Sequence, residues 1–495
     1  MKILVTGGTG VIGRGAIAEL LRREYSVRLL SRHATQHARQ WNGVEPFDGD
    51  VADAASLHGA AAGCDAVLHI AGIAAEHPPE ATFDAVNVGG TRNILAESER
   101  SAVRRFVFVS SLGADRGSSG YHHSKLAAEK LVAASSLSWL IVRPGGVYGP
   151  GDEVTSQILK LVRTLPAMPV IGDGEQPFQP IWYEDLAKAL ANALERTELS
   201  KQVLELAGDE TTSMNDLIRR FAQLTDRHVA KVPVPMTLAS VAVKLASLAG
   251  VELPADETKL AMLADGNLLE GPNGLTTLGV EPTPLERGLR ALADALPETT
   301  PEDGVGSLHH KRFWADITGT AHTAESLMAV VRERAPELMA IEFAVEPDTP
   351  QHLERGATLT ARIPMRGNIQ VRVELVEPTR VVLSTIEGHP LAGTVQFAAQ
   401  SIDGGVRFAI DIHTRAANVF DFVAINTVGA PMQNANWKQV VEGVVGASGG
   451  RAAKGVETSS EKLGDDEAAA IEDRTRAMVQ ARKRDEGEPS AEDAP

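Results

Sequence analysis

The segment KILVTGGTGVIGRGAIAELLRR, residues 2–23, constrains this chain more than any other feature. An aliphatic run leads into Gly7, Gly8, Gly10 and Gly13, and apolar residues at helical spacing follow. Strand, glycine turn and helix in that order form a phosphate cradle. The turn must be tight, the backbone must approach a pyrophosphate closely, and the helix must pack near the strand. The first residues of the helix, Val11 and Ile12, then offer free N–H groups and the positive end of the helix dipole to the phosphates. A dinucleotide is the ligand this arrangement implies.

The rest of the first 150 residues agrees. The runs SVRLLS, AVLHIA, RFVFVS and SWLIVR are apolar on successive positions, as strands buried on both faces must be. Helical spacing lies between them, at residues 12–23 and 84–99. Alternating strands and helices predict a Rossmann-type, doubly wound parallel α/β sheet. At the end of the second strand stand Ser31 and Arg32, where a carboxylate would favour NAD. An arginine there suits a 2′-phosphate, so NADP is expected in preference to NAD. Asp50 and Val51 follow the third strand and fit the adenine side, and Ala71 and Gly72 give clearance along the cofactor.

Taken together, TGGTGVIG, GDVAD, HIAG, Asn87 in NVGGT, FVSSLGA, YHHSK and RPGGVYGPGD resemble the short-chain dehydrogenase/reductase superfamily, in its extended or atypical branch of NAD-dependent epimerases and dehydratases. LPADETKLAMLADGN and LGVEPTPLERGL are similar to the branch that includes the nucleotide-binding accessory subunit of respiratory complex I. The resemblance covers residues 1 to about 297. It implies a Ser111, Tyr121, Lys125 site, with Asn87 supporting the active-site helix and Pro144 and Val147 lining the nicotinamide. Tyr121 and Lys125 are four apart and share a helix face. A nearby ammonium should lower the tyrosine pKa from its usual value of about 10. Tyr121 could then exchange a proton with a carbonyl or alcohol oxygen. Ser110 competes with Ser111, the second serine being preferred. His122 and His123 are read as packing or solvated. The alternative is a site that holds the cofactor without using it. Two departures speak against a nucleotide-sugar substrate: only nine residues separate Ser111 from Tyr121, and Trp182, Tyr183 and Asp185 stand where a histidine is frequent.

A smaller substrate lobe is expected over residues 151–297, then a linker over 298–307, where PETTPEDGVGS is rich in Pro, Gly and acid. Residues 308–449 read as a separate α+β domain: a strand, helical sequence, about six short strands and a long helix from Phe420 to Val445. That order, with STIEGHPLAGTVQFAAQ and GGVRFAIDIHTR, is similar to the helix-grip fold of START-like and polyketide-cyclase-like proteins. The resemblance implies a cavity for an apolar ligand; a packed core is the alternative. Residues 450–495 are charged and poor in large aliphatics, so a disordered tail is expected, a solvated helix over 465–484 being allowed.

Composition excludes some classes. The net charge of −17 and an aromatic content of 4% oppose a nucleic-acid partner. The apolar stretch at 238–248 is too short to span a bilayer. No signal stretch is recognisable in MKILVTGGTG, and Cys64, the single cysteine, reads as a small buried hydrophobe, so a cytoplasmic location is expected. His309, His310, His389 and His413 lack metal-ligand spacing. A small-molecule substrate is the expected partner, an apolar one and a homodimer being allowed.

Overall fold

The computed structural model describes residues 1–152, 154–164, 167–234, 268–295, 298–338, 352–363, 367–417 and 430–486. The chain divides into two units, the first built mainly from Met1–Val162 and Ala167–Ala295, the second mainly from Leu296–Ser490.

The first unit begins β1 (Lys2–Thr6), α1 (Val11–Arg22), β2 (Ser26–Ser31), α2 (Ala34–His37), β3 (Val44–Asp48) and β4 (Ala66–His69). A π-helical turn, Phe83–Gly89, runs into α3 (Gly90–Arg100), followed by β5 (Arg105–Val109), α4 (Gly120–Ala134), β6 (Ser138–Pro144) and β7 (Val147–Tyr148). Then come α5 (Thr155–Thr164), β8 (Ala167–Ile171), β9 (Ile181–Trp182), α6 (Tyr183–Glu195), β10 (Gln202–Leu206), α7 (Met214–Leu224), β11 (Ala230–Val234), α8 (Gly274–Thr277) and α9 (Leu285–Asp294). Seven strands form one parallel sheet in the order β10-β6-β5-β4-β1-β2-β3. The order reverses between β1 and β4, and a crevice for a ligand belongs at that switch point.

Strand alternation explains the continuous apolar runs. Ile3, Val5, Val27, Leu29, Val107 and Val109 join one buried cluster, with Ile17 and Leu20 of α1 and Leu186 and Leu190 of α6. Leu4, Leu30, Phe106 and Phe108 face the other way, onto Ile94 and Leu95 of α3 and Ala128 and Val132 of α4. Cys64 is buried in this second cluster. The lobe expected over 151–297 is only partly separate. Its α6 and β10 complete the main sheet layer, while Ile158, Met168, Leu217, Phe221 and Leu289 form an apolar cluster of their own with Tyr148 and Trp182.

The second unit runs β12 (Glu298–Thr299), β13 (Val305–Thr318), α10 (Ala324–Glu333), α11 (Ala335–Leu338), β14 (Thr358–Ile363), β15 (Gly367–Glu377), β16 (Arg380–Ile386), β17 (Leu391–Ile402) and β18 (Gly405–Ala416). It ends with α12 (Ala430–Ala447), β19 (Arg451–Ala452), β20 (Glu457–Lys462) and α13 (Asp465–Glu486). The sheet is antiparallel, in the order β14-β15-β16-β17-β18-β13, with β19 and β20 added against β13 and β12 against β16. Val440, Val441 and Val444 of α12 share a buried cluster with Leu327 and Met328 of α10 and with Phe313, Phe397, Phe408 and Ile410 of the sheet.

Two expected boundaries are corrected. Residues 298–307 are not a free linker: Glu298 and Thr299 pair with Ile386 and Thr385, and β13 already starts at Val305. Nor is the chain disordered from residue 450. Strands β19 and β20 pair with β13, and α13 buries Thr475, Val479 and Arg482. Composition hid this because the decisive contacts are ionic. Buried Arg482 reaches Glu298 at 2.6 Å and Glu374 at 2.9 Å and also pairs with Glu486. Arg372 and Lys483 approach Glu298 as well, at 2.7 and 2.9 Å. The tail residues 487–495, the strand expected at 339–347, the start of the long helix at 420–429, the apolar stretch at 238–248 and the motif at 253–267 lie outside the described residues. Among the described residues, no helix is long and apolar enough to cross a membrane.

Candidate active site

The cradle closes at the end of β1. Gly7 has a φ of +70°, and a Cβ there would lie 2.6 Å from the Ala71 nitrogen. A Cβ on Gly13 would lie 2.1 Å from the Gly7 oxygen and 2.5 Å from the Gly8 Cα. Gly10 caps α1 without a side-chain hydrogen bond, leaving the N–H groups of the first turn, at Val11 and Ile12, open to an anion. Glycines that no larger residue could replace, around an uncapped helix start, fit a pyrophosphate. Gly13→Ala is therefore expected to weaken dinucleotide affinity by about a hundredfold or more, the cost of moving backbone in the cradle. Fluorescence titration with NADPH checks this; unchanged affinity would refute the cradle assignment.

The proposed catalytic residues meet beside the same edge. At Gly72, just past β4, a Cβ would lie 3.1 Å from Asn87 Oδ1 and 3.4 Å from Lys125 Nζ. Asn87 is buried in the π-helical turn, a feature frequent at functional sites. Its Oδ1 accepts from the Ile73 N–H at 2.8 Å, and its Nδ2 donates to the Ile73 carbonyl at 3.0 Å and to Ser124 Oγ at 2.9 Å. Ser124 donates to the Tyr121 carbonyl at 2.7 Å, so Asn87 grips the first turn of α4. The Ser111 hydroxyl donates to the Leu112 carbonyl at 3.4 Å and stands near enough to Tyr121 to pull its pKa down. Lys125 is buried, donates to the Val109 carbonyl at 2.8 Å and lies 5.0 Å from the centre of the Phe108 ring.

The two serines divide. Ser110 donates to Glu129 at 2.5 Å, which commits it elsewhere, and Ser111 is the one that influences Tyr121. His122 is buried, with its Nδ1 2.9 Å from Ser119 Oγ, and His123 is exposed. Pro144 ends β6, where its carbonyl accepts from the Leu112 N–H at 2.8 Å, and Val147 pairs with Ile181. Asp50 accepts from the Ala52 N–H at 2.9 Å, and Val51 packs against Gly90. Arg32 is exposed just past β2, in a groove shared with His33, Thr35, Arg39 and Asp48. Asp48 is taken by Thr35, at 2.9 Å from its N–H and 2.5 Å from its hydroxyl. Where a histidine was missing from the family pattern, Asp185 accepts from the Thr283 N–H at 2.5 Å.

One electrostatic expectation is corrected. Burial pushes the Tyr121 pKa above its ordinary value, and the nearby Ser111 hydroxyl only partly opposes this. The expected lowering by Lys125 is absent because that ammonium is turned to the Val109 carbonyl and is itself desolvated. Burial lowers the Lys125 pKa to about 8, against the pull of Glu129. A neutral tyrosine is suited to giving a proton rather than taking one.

Two groups of residues escaped the sequence reading. His69 of β4 is buried, with Nδ1 2.7 Å from Thr6 Oγ1 and Nε2 3.1 Å from Thr91 Oγ1. Thr91 donates in turn to the Asn87 carbonyl at 2.7 Å, and Thr6 accepts from the Ala71 N–H at 3.2 Å. Burial, assisted by the Lys125 charge, lowers the His69 pKa to about 3, so the ring is neutral. A histidine inside the apolar run AVLHIA was the available signal. The second group is Glu129 with Arg143, signalled by a carboxylate four residues past Lys125.

Residues 3–207 match the model of the NAD dependent epimerase/dehydratase family. The match covers less than half of the chain. Ceramide reductase of Caulobacter vibrioides is 37% identical over 172 residues, which are 34% of this chain and 53% of that protein. The 4-hydroxy-2-methyl-3-oxo-4-farnesyl-3,4-dihydroquinoline-1-oxide ketoreductase of Stigmatella aurantiaca is 31% identical over 187 residues, 33% of this chain and 56% of that one. The NADH dehydrogenase [ubiquinone] 1 alpha subcomplex subunit 9 of Rattus norvegicus is 27% identical over 321 residues, 61% of this chain and 84% of that one. The chain thus spans about half the length of the two reductases, and the relation to the complex I subunit agrees with the resemblance read in the sequence.

Proposed function

We propose that the first unit is an NADP-preferring oxidoreductase that reduces a carbonyl on an apolar small molecule, or oxidises the corresponding alcohol. The observation that carries this reading is the nearness of Tyr121 to Ser111, with Lys125 one helical turn on, at the edge that also bears the glycine cradle. The bound nicotinamide would supply or accept the hydride. In the reducing direction, Tyr121 gives its hydroxyl proton to the carbonyl oxygen. Ser111 donates its own hydroxyl hydrogen bond to the same substrate oxygen. Lys125 supplies a positive charge beneath them, and Asn87 fixes the turn that carries Tyr121. The two reductases among the relatives are named for lipid-like substrates, and this supports an apolar substrate here. The test is oxidation of NADPH by the full chain over a panel of apolar ketones.

The NADP preference rests on Arg32. Arg32→Ala is expected to weaken NADPH binding about tenfold, through loss of one charge-assisted contact, and to leave NADH binding unchanged. Equal losses for both nucleotides in parallel titrations would remove the assignment.

The second unit is read as a helix-grip module for an apolar ligand. Its order of strand, helices, antiparallel strands and a long helix against the sheet supports this reading. Mass spectrometry of small molecules released from the natively purified chain tests it; nucleotide without any apolar compound would count against it. The second reading of the first unit is a cofactor-holding scaffold. It is favoured by the alignment over 84% of the complex I subunit. Retained NADPH with no turnover over the ketone panel would select it.

A further inference from the structure

We propose that Glu129 is a positioning residue for the Ser111–Tyr121–Lys125 site, tying together the three chain segments that build it and setting a buried carboxylate opposite the Lys125 ammonium. This rests on the oxidoreductase reading of that site.

The geometry is specific. Glu129 lies on α4, four residues past Lys125 and eight past Tyr121, hence on the same helix face. It is buried, as is Arg143. Glu129 accepts from Ser110 Oγ at 2.5 Å, and Ser110 directly precedes Ser111 at the end of β5. It also accepts two hydrogen bonds from Arg143, Nε at 2.8 Å and Nη2 at 2.7 Å. Arg143 directly precedes Pro144 at the end of β6. One carboxylate therefore fixes α4 against the ends of β5 and β6. The other side of Arg143 binds Asp115 at 2.5 Å, which stands in the loop between Ser111 and Tyr121, and Glu205 of β10 at 3.4 Å. Arg116 of that loop binds Glu205 at 2.8 Å. Fork-shaped pairing of this kind sets orientation as well as energy.

Among the described residues, the charges around Lys125 are few. Glu129 comes from its own helix, His69 from β4 is neutral, and Tyr121 is neutral with its raised pKa. Asn87 and the Val109 carbonyl are uncharged. Glu129 is thus the carboxylate that opposes the desolvation of the ammonium. Replacing it by glutamine removes the charge and keeps the shape. Arg143 is not left alone, because Asp115 and Glu205 remain, so Glu129→Gln should fold.

The sign follows. Lys125 loses its opposing charge, so its pKa falls below about 8 and less of it is charged at neutral pH. In Glu129→Gln, the loss of the reduction rate toward alkaline pH should begin at lower pH than in the parent. The turnover rate should also drop by roughly tenfold to a hundredfold from loosened alignment, with the NADPH Kd unchanged. Ser110→Ala, which removes one hydrogen bond and no charge, should lower turnover less and leave the alkaline limb in place.

The experiment pairs those pH profiles with a carbon-13 NMR titration of labelled lysine side chains in the full chain, Lys125 being assigned by Lys125→Arg. The expected result is a Lys125 midpoint that moves to lower pH in Glu129→Gln and stays put in Ser110→Ala. A midpoint and an alkaline limb that both stay put in an active Glu129→Gln enzyme would overturn the inference while leaving the oxidoreductase reading intact. A moved midpoint in a protein without turnover would uphold the coupling and remove the oxidoreductase reading instead.

Discussion

Tyr121→Phe is expected to bind NADPH as the parent does and to lose turnover by about 10²–10⁴-fold, the range that one positioned proton donor contributes. The ring keeps its place in that variant: it is half-buried beside Phe83, at 6.2 Å between ring centres, and the first turn of α4 is held through Ser124 and Asn87 rather than through the phenol. What disappears is the hydroxyl near Ser111. Ser111→Ala should cost less, because Tyr121 can still give its proton. Single-turnover oxidation of bound NADPH separates chemistry from binding and release. A Phe variant that oxidises NADPH at the parent rate on a substrate the parent reduces would remove Tyr121 from the mechanism.

Arg482→Met is the second large effect, and it concerns stability. Arg482 is 1% exposed and holds Glu298 and Glu374, which are 2% and 0% exposed. Removing one member of a buried ion cluster strands its partners, at a cost of about 3–5 kcal/mol. Glu298 retains Arg372 and Lys483; Glu374 retains only its hydrogen bond from Ser384 among the contacts described for its side chain. Burial already raises the Glu374 pKa above the usual carboxylate value despite Arg482 and Ser384. A raised value means that the folded form favours the protonated acid, so stability from this group is present at low pH and is lost as pH rises through the folded pKa. Loss of the guanidinium strengthens that trend. The variant should therefore be most destabilised near neutrality and recover part of the loss in mild acid. Hydrogen exchange read by mass spectrometry, over peptides of β15 and α13, checks this. Parent-like protection of those peptides in Arg482→Met would mean that the cluster does not hold the helix.

The sequence was most legible where packing follows a simple period. β1, β2, β4, β5 and β6 are continuous apolar runs because both faces of a parallel sheet are covered. β3 and β10 were not among those runs. They lie at the two sheet edges, and VEPFD and QVLEL carry exposed or half-exposed polar residues that break the signal. The cradle could be read residue by residue because glycine is the only residue that fits at Gly7 and Gly13. Ser110 and Ser111 are adjacent in the chain, and only the position of Glu129 divides them. The Tyr121 pKa was misjudged for a related reason: spacing placed Lys125 near the phenol but said nothing of the Val109 carbonyl that accepts its hydrogen bond. The charged C-terminal segment was read as solvated because composition counts Arg482 as polar, and long-range ion pairs leave no local pattern.

The most direct test of the central claim follows the hydride. The full chain would be incubated with NADPH deuterated at the transferring carbon and a lipid-soluble carbonyl mixture, and the products read by mass spectrometry. The account predicts an apolar alcohol carrying one deuterium, with NADP⁺ formed in equal amount, and no such product from Tyr121→Phe. NADPH that binds the chain and is recovered with its label intact, over the whole mixture, would contradict it.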